Sequence, residues 1–428
     1  MSARFDTLAE ALRYQQSSHG PTIDLTLERV REVAARLGLL EKRCPSVIVG
    51  GTNGKGSTAC DLASMLTACG QRVGLFTSPH LIRYSERVQV DGVEVADATL
   101  LSAFERIEAA RGATTLTFFE YNTLAALDAF RTADVTAMVL EVGLGGRLDA
   151  TNIIDADVAV LCSVGLDHRD WLGDTLELIG AEKAGIFRAG QAVVLGSPDM
   201  PASVWERAAA LQCRLHVAQR DFEAHIHGRG DRSEPWDFRS ALCKIDRLPA
   251  PALAGAIQYQ NAAAALTALN LLGVRGACER DRIGRGLESV RLPGRFQRVP
   301  GEVEWVLDVA HNEPAAAVLA AELRSRPVRG RTLAVAGMLA DKDVAGVAAK
   351  LDGAIDHWLL ADLSAEPRGL SAEALKSRLP PLRGTLESMP GVAAACARAR
   401  ELARPRDRIV VLGSFHVVGP ALAWLGLY

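Results

Sequence analysis

The stretch SVIVGGTNGKGSTAC, which begins at Ser46, places an apolar run before a loop rich in glycine with one lysine and several hydroxyl groups. Backbone N–H groups can cradle phosphate oxygens where glycines let the chain approach closely, the following helix presents its positive N-terminus, and a lysine neutralises the terminal phosphates. The residues suited to these tasks are Gly51, Gly54, Gly56, Lys55, Ser57 and Thr58. The common pattern GxxxxGK[ST] is not met, because Val49 replaces its first glycine and Gly56 separates Lys55 from Ser57. The alternative is a glycine-rich turn between a strand and a helix, with its lysine in solvent.

Acidic residues close two other apolar runs. AMVLEVGLGG carries Glu141 where a strand should end, and VAVLCSVGLDH ends in Asp167 and His168. The carboxyl ends of parallel strands are where open α/β sheets bind ligands, and magnesium prefers oxygen ligands. The pattern therefore indicates a magnesium site near a bound triphosphate. Alternatively, Glu141 is a solvated strand end, and His168 taken alone is a structural histidine.

Composition limits the class of protein. The chain has 428 residues, of which 49% are hydrophobic and 23% charged, and this length favours two domains. A net charge of −3 without a basic cluster argues against a nucleic-acid partner. The N-terminus lacks a signal-peptide pattern and no apolar run reaches membrane-spanning length, which predicts a cytoplasmic protein without a membrane partner. The eight cysteines form no CxxC pairs, so we expect them to be reduced and buried, not metal ligands or disulfides.

Short apolar runs alternate with helical periodicity and predict a mostly parallel sheet wrapped by helices. The predicted strands of the first series are 46–49, 73–76, 137–142, 158–163 and 192–195. The second series has predicted strands at 305–309, 332–336, 357–361 and 408–412, and helices at 314–324, 344–351, 372–378 and 392–402. We expect domains at 1–294 and 295–428, with a linker at about 291–304 that contains two prolines and two glycines. The polar stretch 229–240 is expected to be a surface loop or hairpin.

Ten motifs in register give the chain a family resemblance. They are TNGKGST at 52–58, TSPHL at 77–81, RYSERV at 83–88, FFEYNTLAAL at 118–127, LEVGLGGRLDATNI at 140–153, LDHRDWLG at 166–173, EKAGIFR at 182–188, LPGRFQ at 292–297, DVAHN at 308–312 and GSFHVV at 413–418. The sequence resembles the bacterial bifunctional dihydrofolate synthase/folylpolyglutamate synthases, relatives of the Mur ligases. The resemblance implies a large N-terminal domain with a doubly wound sheet of P-loop type, and a smaller Rossmann-like C-terminal α/β domain.

The resemblance also implies an ATP-dependent ligase that acts as a monomer. ATP phosphorylates a substrate carboxylate, the amine of L-glutamate attacks the acyl phosphate, and an amide, ADP and phosphate result. The implied small-molecule substrates are dihydropteroate, reduced folates, L-glutamate and ATP, with Mg²⁺ as the metal. Because an acyl phosphate hydrolyses in water, we expect a cleft between two domains to close over the reactants.

Site residues are carried over from matching motifs. The ATP-binding residues implied are Thr52, Asn53, Gly54, Lys55, Gly56, Ser57, Asn261, Arg295 and Asp308. The metal ligands implied are Ser78, Glu141, His168 and Lys183, the last as a carbamate. The catalytic residues implied are Lys55, Lys183 and His311, and Ser414 and His416 are expected near glutamate. The dihydropteroate pocket implied contains Thr22, Ile23, Asp24, Phe119, Glu120 and Tyr121, although both aromatic residues could simply be core.

Other functions remain open on the sequence. A related ligase of the same architecture could act on another carboxylate, such as a peptidoglycan precursor. Because the glycine loop begins by residue 50, we expect no N-terminal uridine-binding domain of the kind those enzymes carry, which weighs against this alternative. A nucleotide-binding regulator without catalysis would bind ATP and release no phosphate in response to glutamate. A kinase would leave the phosphate on its substrate.

Overall fold

The computed structural model describes residues 5–20, 23–228 and 234–428. The chain divides into two compact units. The first comprises Met1–Val164, Leu172–Ala252 and Gln258–Val290, and the second comprises Gly165–Trp171, Leu253–Ile257 and Arg291–Tyr428. The short segment that carries His168 therefore belongs to the second unit.

The first unit contains an eight-stranded sheet in the order β4-β3-β2-β5-β1-β6-β7-β8 and a three-stranded antiparallel sheet in the order β11-β10-β9. The strands are β1 Ser46–Gly50, β2 Val73–Phe76, β3 Val88–Val90, β4 Val93–Glu94, β5 Ala137–Glu141, β6 Val158–Leu161, β7 Ala192–Leu195, β8 Arg214–Val217, β9 Phe222–Ile226, β10 Trp236–Ser240 and β11 Lys244–Leu248. Neighbours from β2 to β8 are parallel, whereas β3 and β4 add antiparallel pairs at one edge. Strands β1 and β6 are buried along their whole length, as expected where helices cover both faces of a sheet.

The helices before residue 291 are α1 Leu8–Ser17, α2 Glu28–Arg36, α3 Lys55–Ala68, α4 Asp97–Arg111, α5 Phe118–Thr132, α6 Arg169–Leu172, α7 Leu176–Ala184, α8 Ala202–Ala210, α9 Ala256–Leu271 and α10 Arg280–Ser289. Two 3-10 helices lie at Tyr84–Arg87 and Ala150–Ile153. Helix α5 begins with a capping box, in which the Thr117 and Glu120 side chains each bond the other's backbone N–H group. This cap fixes the point at which the chain turns into α5.

The second unit contains a six-stranded sheet in the order β12-β13-β17-β14-β15-β16. Its strands are β12 Gln297–Val299, β13 Glu304–Leu307, β14 Thr332–Ala336, β15 His357–Ala361, β16 Thr385–Met389 and β17 Arg408–Leu412, and its helices include α11 Glu313–Ser325, α12 Val344–Leu351, α13 Ala372–Ser377, α14 Val392–Leu402 and α15 Phe415–Trp424. Only the edge strand β12 runs antiparallel to its neighbour. The predicted α/β fold class is confirmed, with most predicted strands and helices displaced by no more than two residues at either end.

The prediction about cysteines is wrong for one pair. Cys243 and Cys278 form a disulfide with their Cα atoms 5.9 Å apart, although 35 residues separate them. Cys243 directly precedes β11 and Cys278 lies just before α10, and these two elements pack together. The pairing follows from this tertiary contact, which the sequence spacing does not reveal. The other cysteines are free, and all of them except Cys213 are buried.

No helix among residues 5–20, 23–228 and 234–428 is both long enough and apolar enough to cross a membrane.

Candidate functional site

The glycine loop lies between β1 and α3 and is held by the end of β6. The Thr52 N–H group donates to the Ser163 carbonyl at 2.8 Å, and the Asn53 N–H group donates to the Ser163 hydroxyl at 3.0 Å. That hydroxyl donates in turn to the Asn53 carbonyl at 3.0 Å. Because β6 pairs in parallel with β1, the loop is fixed on the carboxyl side of the sheet.

Two glycines in this loop adopt backbone conformations that other residues resist. Gly54 has a φ of +88°, and a Cβ atom there would lie 2.9 Å from Asn261 Oδ1. Gly51 has a φ of +144°, and its Cβ would lie 3.1 Å from the Ser163 nitrogen. Gly54 is also the N-cap residue of α3, so no side chain there competes for the N–H groups of the first helical turn. These donors suit a phosphate oxygen.

Two lysines converge on one carbonyl oxygen of the loop. Lys55 Nζ donates to the Gly51 carbonyl at 3.0 Å and to the Thr52 carbonyl at 3.1 Å. Lys183 Nζ, which α7 contributes, donates to the same Gly51 carbonyl at 3.1 Å, and Lys183 is buried. Lys55 provides positive charge that a triphosphate requires, and Lys183 is held beside it on the same carbonyl.

Asn261, Gly56 and Ser57 complete this part of the site. The Asn261 amide on α9 lies beside Gly54 and donates to Gln258 Oε1 at 2.9 Å. Gly56 and Ser57 are buried in the first turn of α3. The structure therefore brings together every residue predicted for the phosphate loop, and it places Asn261 next to them.

Glu141 is the last residue of β5 and lies level with Val49 of β1. Its side chain is only 3% exposed, and its Oε2 atom accepts a hydrogen bond from the Ser78 N–H group at 2.9 Å. Ser78 follows β2, the strand on the other side of β5. A carboxylate and a hydroxyl-bearing residue thus meet beside the glycine loop.

His168 and its neighbour Asp167 lie in the second unit. His168 has a φ of +51°, and about a third of its side chain is exposed. The Asp167 carboxylate accepts hydrogen bonds from Lys342 Nζ at 2.6 Å and Asn312 Nδ2 at 2.9 Å. Burial alone would raise the pKa of Asp167, but the hydrogen bond from His311 and the nearby charges of His168, Lys342 and His311 hold it far below its ordinary value. Asp167 is therefore an anchored anion.

Asp308, Arg295 and His311 surround the end of β13. The buried Asp308 carboxylate accepts hydrogen bonds from the N–H groups of Phe296 and Ala310, each at 2.8 Å. Its burial raises its pKa, against the opposing influence of Arg295. The Arg295 guanidinium lies 5.6 Å from the centre of the Phe415 ring. His311 Nδ1 lies 2.8 Å from the Val309 carbonyl and must donate to it, which leaves Nε2 directed to Asp167 at 3.5 Å.

Ser414 and His416 open α15. Ser414 is the N-cap residue, and its hydroxyl accepts a hydrogen bond from the His416 N–H group at 3.1 Å. The His416 ring is 43% exposed and pairs with Glu366 at 3.0 Å. Ser414 thus caps α15, whereas the His416 ring is accessible to solutes.

Asp24 and Glu120 share one arginine in the first unit. Arg29 Nη1 donates to Asp24 Oδ2 at 2.7 Å, and Arg29 Nη2 lies 3.3 Å from Glu120 Oε1. His19 Nε2 also lies 3.1 Å from Asp24 Oδ2. Burial raises the pKa of Glu120, although the Thr117 backbone and Arg29 oppose this shift. Two carboxylates, a guanidinium and an imidazole form a polar cluster able to bind a ring that carries both donors and acceptors.

The two aromatic residues beside Glu120 have different surroundings. Phe119 is partly buried, contacts Phe76 with ring centres 5.8 Å apart, and lies against Gly143. Tyr121 is 1% exposed in the hydrophobic core, and its hydroxyl donates to Glu108. The structure thus places Phe119 near the strand ends and Tyr121 inside the domain. Ile23 is partly buried beside Asp24, and the predicted Thr22 lies outside the described residues.

Comparison with known proteins assigns the family. Residues 49–269 match the model of the Mur ligase middle domain, and residues 294–415 match the model of the Mur ligase glutamate ligase domain. The dihydrofolate synthase/folylpolyglutamate synthase of Escherichia coli is 45% identical over 416 residues, which cover 96% of this chain and 94% of that protein. The chain belongs to the dihydrofolate synthase/folylpolyglutamate synthase family. The relative from Haemophilus influenzae is 38% identical and covers 96% of both chains.

Solved structures of this family share the fold. Escherichia coli FolC in complex with DHPP and ADP has a TM-score of 0.92 at 43% identity, and the match covers 98% of both chains. A bifunctional folylpolyglutamate synthase/dihydrofolate synthase with Mn, AMPPNP and L-glutamate bound has a TM-score of 0.89 at 42% identity, with coverage of 99% of this chain and 98% of that one. The structural likeness therefore extends over nearly the whole chain.

Magnesium, which this family of ATP-dependent ligases implies, suits the donors present. Glu141 offers a buried carboxylate at the sheet edge, Ser78 lies against it, and such hard oxygen ligands fit Mg²⁺. Among the described residues there is no group of three or more His, Cys, Asp or Glu side chains that could hold a metal. A magnesium ion here would thus depend on few protein ligands, as is usual where phosphates and waters complete its coordination.

Several residues that shape this site are not evident from the sequence. Ser163 holds the glycine loop, and Arg29 joins Asp24 to Glu120. Lys342 pairs with Asp167 across 175 positions of sequence. Arg29 lies five residues after Asp24, which is a weak local signal, whereas no spacing pattern reveals the other two contacts.

Proposed function

We propose that this protein is an ATP-dependent ligase that joins L-glutamate to dihydropteroate, forming dihydrofolate, and to reduced folates, forming folylpolyglutamates. The observation that carries the proposal is the glycine loop with Lys55 and Lys183 on one carbonyl, beside the buried Glu141. Relatives that bear these activities in their names support the substrate class. The related structures that hold DHPP with ADP, and AMPPNP with L-glutamate, support the same set of reactants.

The residues around the glycine loop bind ATP and promote phosphorylation of the substrate carboxylate. The α3 N-terminus and Lys55 bind the terminal phosphates of ATP and neutralise the charge that passes to the substrate carboxylate. Phosphorylation converts a carboxylate oxygen into a leaving group, and the glutamate amine then displaces phosphate through a tetrahedral intermediate. Ser78, Glu141 and His168 are the residues proposed to hold Mg²⁺, which would supply further positive charge at the phosphoryl group. No serine or cysteine nucleophile is required.

Other polar residues bind the pterin ring, the nucleotide and L-glutamate. Asp24 and Glu120, held by Arg29, accept hydrogen bonds from the amino and ring N–H groups of the pterin, and Phe119 offers a ring face. In the second unit, Arg295 and Asp308 contact the nucleotide. His311, Ser414 and His416 position glutamate or the tetrahedral intermediate.

Lys183 is proposed to act as a carbamate whose added carboxylate helps bind a second magnesium ion. Its burial and its hydrogen bond to the Gly51 carbonyl support this role. A carbamate nitrogen retains one N–H group, so the bond to Gly51 survives the modification. Turnover of the wild-type enzyme should therefore rise when bicarbonate is supplied.

Domain roles and cellular context are also part of the proposal. Residues 1–294 bind ATP and the pterin, and residues 295–428 provide the glutamate ligase part. The enzyme acts on small molecules as a monomer in the cytoplasm, without nucleic acid or membrane as a partner.

The direct test measures phosphate release with ATP, Mg²⁺ and L-glutamate, comparing dihydropteroate with a reduced monoglutamyl folate. Lys55→Ala and Glu141→Ala should each lower kcat by at least about 100-fold and leave the fold intact, because each removes charge stabilisation of the transition state. Lys42→Ala and Glu41→Ala are matched controls, since both side chains are more than half exposed at 52% and 73%.

Three results would contradict the proposal. Normal turnover in the Lys55 or Glu141 variant would exclude that residue from the mechanism. ATP binding without glutamate-dependent phosphate release would indicate a nucleotide-binding regulator. Phosphate that stays attached to the carboxylate substrate would indicate a kinase.

A further inference from the structure

Arg87 carries a guanidinium group that the proposed mechanism does not use. It closes the 3-10 helix Tyr84–Arg87, and its side chain is buried, with the residue 8% exposed. Its carbonyl accepts a hydrogen bond from the Thr77 N–H group at 2.9 Å, directly before Ser78. Phe76 pairs with Val88 in the adjacent register, so Arg87 is fixed at the carboxyl end of β2.

Aromatic rings and a histidine fix the orientation of this guanidinium. Arg87 Nε donates to His80 Nδ1 at 2.8 Å. Its Cζ atom lies 5.9 Å from the centre of the Tyr84 ring and 5.7 Å from that of Phe118, both within cation–π range. The Tyr84 ring is itself held, because its hydroxyl donates to Asn122 Oδ1 at 2.6 Å. The planar group is therefore pre-organised.

The Arg87 guanidinium forms no ion pair with a carboxylate of the described residues. Within the same ranges, its two terminal nitrogens have no hydrogen-bond acceptor. The neighbouring Glu86 uses its carboxylate to accept N–H groups of the preceding loop, including those of Leu81 and Ile82 at 2.7 Å each. Burial lowers the pKa of Arg87, and the nearby Tyr84, Glu86 and Glu141 oppose that shift. Buried charges in proteins are normally paired, so this fork is suited to an anionic ligand.

The place of Arg87 in the sheet indicates which anion. The order β3-β2-β5-β1 places β3, which begins directly after Arg87, three intervals or about 14 Å from the strand before the glycine loop. Glu141 ends the strand between them, whereas Phe118 opens the helix that also carries Phe119 and Glu120. The guanidinium is thus on the pterin side of Glu141, the proposed metal ligand.

We propose that Arg87 binds the carboxylate of the pteroate or folate substrate through its two terminal nitrogens and holds it for phosphorylation. This inference rests on the proposed function. The fork geometry of arginine matches the two oxygens of a carboxylate. Arg87 would therefore recognise the group that reacts, while Asp24 and Glu120 recognise the ring.

The test compares binding of dihydropteroate with binding of its neutral carboxamide analogue by calorimetry. The wild-type enzyme should bind the carboxylate roughly 10- to 100-fold more tightly than the carboxamide, as expected for charge-assisted hydrogen bonds to a buried group. Arg87→Met should bind both ligands with similar affinity, with its carboxamide affinity close to that of the wild type. Arg87→Lys should restore part of the preference. Arg83→Met is the matched control, because this arginine of the same segment has a side chain that is 62% exposed, and it should keep the full preference.

Two outcomes would overturn the assignment. One is an Arg87→Met variant that retains the wild-type preference for the carboxylate. The other is a variant whose affinity falls equally for both ligands, or falls for ATP instead, since either pattern would indicate a structural or a nucleotide-binding role. If Arg87→Met does not fold, the carboxylate preference of Arg87→Gln decides the question in the same way. Failure of the proposed function would be visible separately, as a wild-type enzyme that releases no phosphate with dihydropteroate and glutamate.

Discussion

Two glycines that flank α3 allow the proposed phosphate-binding role of the loop to be separated from backbone strain. Gly54 precedes α3 with a φ of +88°, and Gly70 follows α3 with a φ of +87°. A Cβ atom at Gly70 would meet nothing within 4 Å, whereas one at Gly54 would lie 2.9 Å from Asn261 Oδ1 and 3.4 Å from Cys162 Cβ. Gly54→Ala and Gly70→Ala therefore impose the same dihedral strain in different surroundings.

The magnitudes follow from these contacts. A left-handed alanine costs about 1–2 kcal/mol, and this part should be common to both variants. At Gly54 the Asn261 amide must also retreat by roughly 0.5 Å to reach an ordinary contact distance. That movement strains its hydrogen bond to Gln258 and adds about 1 kcal/mol. Because the first-turn N–H groups shift with the loop, ATP affinity should fall by at least roughly 10-fold, or about 1.4 kcal/mol.

The assay combines urea unfolding with calorimetric titration of ATP in the presence of Mg²⁺. Both variants should lose unfolding free energy, but only Gly54→Ala should lose ATP affinity, with Gly70→Ala binding ATP like the wild type. Equal ATP affinity in the two variants would refute the assignment of this loop to the phosphates. A loss of ATP affinity in Gly70→Ala would show that strain at the other end of α3 is enough to weaken ATP binding. That result would also contradict a specific role for Gly54.

Two further predictions concern buried charges. Asp61 is completely buried in α3 without a hydrogen-bond partner among the described residues, and burial raises its pKa well above the usual value. Since the folded protein retains a proton at Asp61 that the unfolded chain releases, the contribution of Asp61 to stability should fall as pH rises above about 4. Asp61→Asn should therefore be more stable than the wild type by at least about 1 kcal/mol in urea unfolding at pH 8, and equal stabilities at that pH would contradict this. Asp167 has a depressed pKa, so its pair with Lys342 stabilises the second unit above about pH 4 and the contribution is lost as pH falls. Lys342→Met should cost about 3 kcal/mol in urea unfolding at pH 7 and less at pH 3.5, and a cost that does not depend on pH would exclude the pair as its source.

Much of the fold follows from local sequence pattern, because a buried parallel strand is a continuous apolar run. The runs at 73–76 and 158–163 are predicted as strands on that basis, and the structure has strands at Val73–Phe76 and Val158–Leu161. The strand Thr385–Met389 was not predicted, because TLESM is polar and only partly covered at the edge of its sheet. The stretch 229–240, predicted to be a surface loop or hairpin, contains the strand Trp236–Ser240, which pairs antiparallel with Phe222–Ile226. Residues 229–233 of that stretch lie outside the described residues.

Those parts of the candidate site that depend on tertiary contacts could not be predicted from the sequence. Glycine spacing indicated the phosphate loop, since that chemistry is local to one turn. The ion pair of Arg29 with Glu120 joins positions 91 apart, and no periodicity reveals it. Tyr121 illustrates the same difficulty, because a sequence motif cannot show that one aromatic residue of the pair faces the core while Phe119 lies near the strand ends.

The capping box of α5 links the proposed pterin site to local folding. Glu120 Oε2 accepts the Thr117 N–H group at 2.7 Å, and the same carboxylate faces Arg29, which also holds Asp24. A ligand that binds Arg29 or Glu120 and moves either side chain must therefore change the hydrogen bond that caps the first turn of α5. Ligand binding at Arg29 and Glu120 is thus coupled to local unfolding at the N-terminus of α5. Hydrogen exchange at the Thr117 amide can measure this coupling without a label on the ligand.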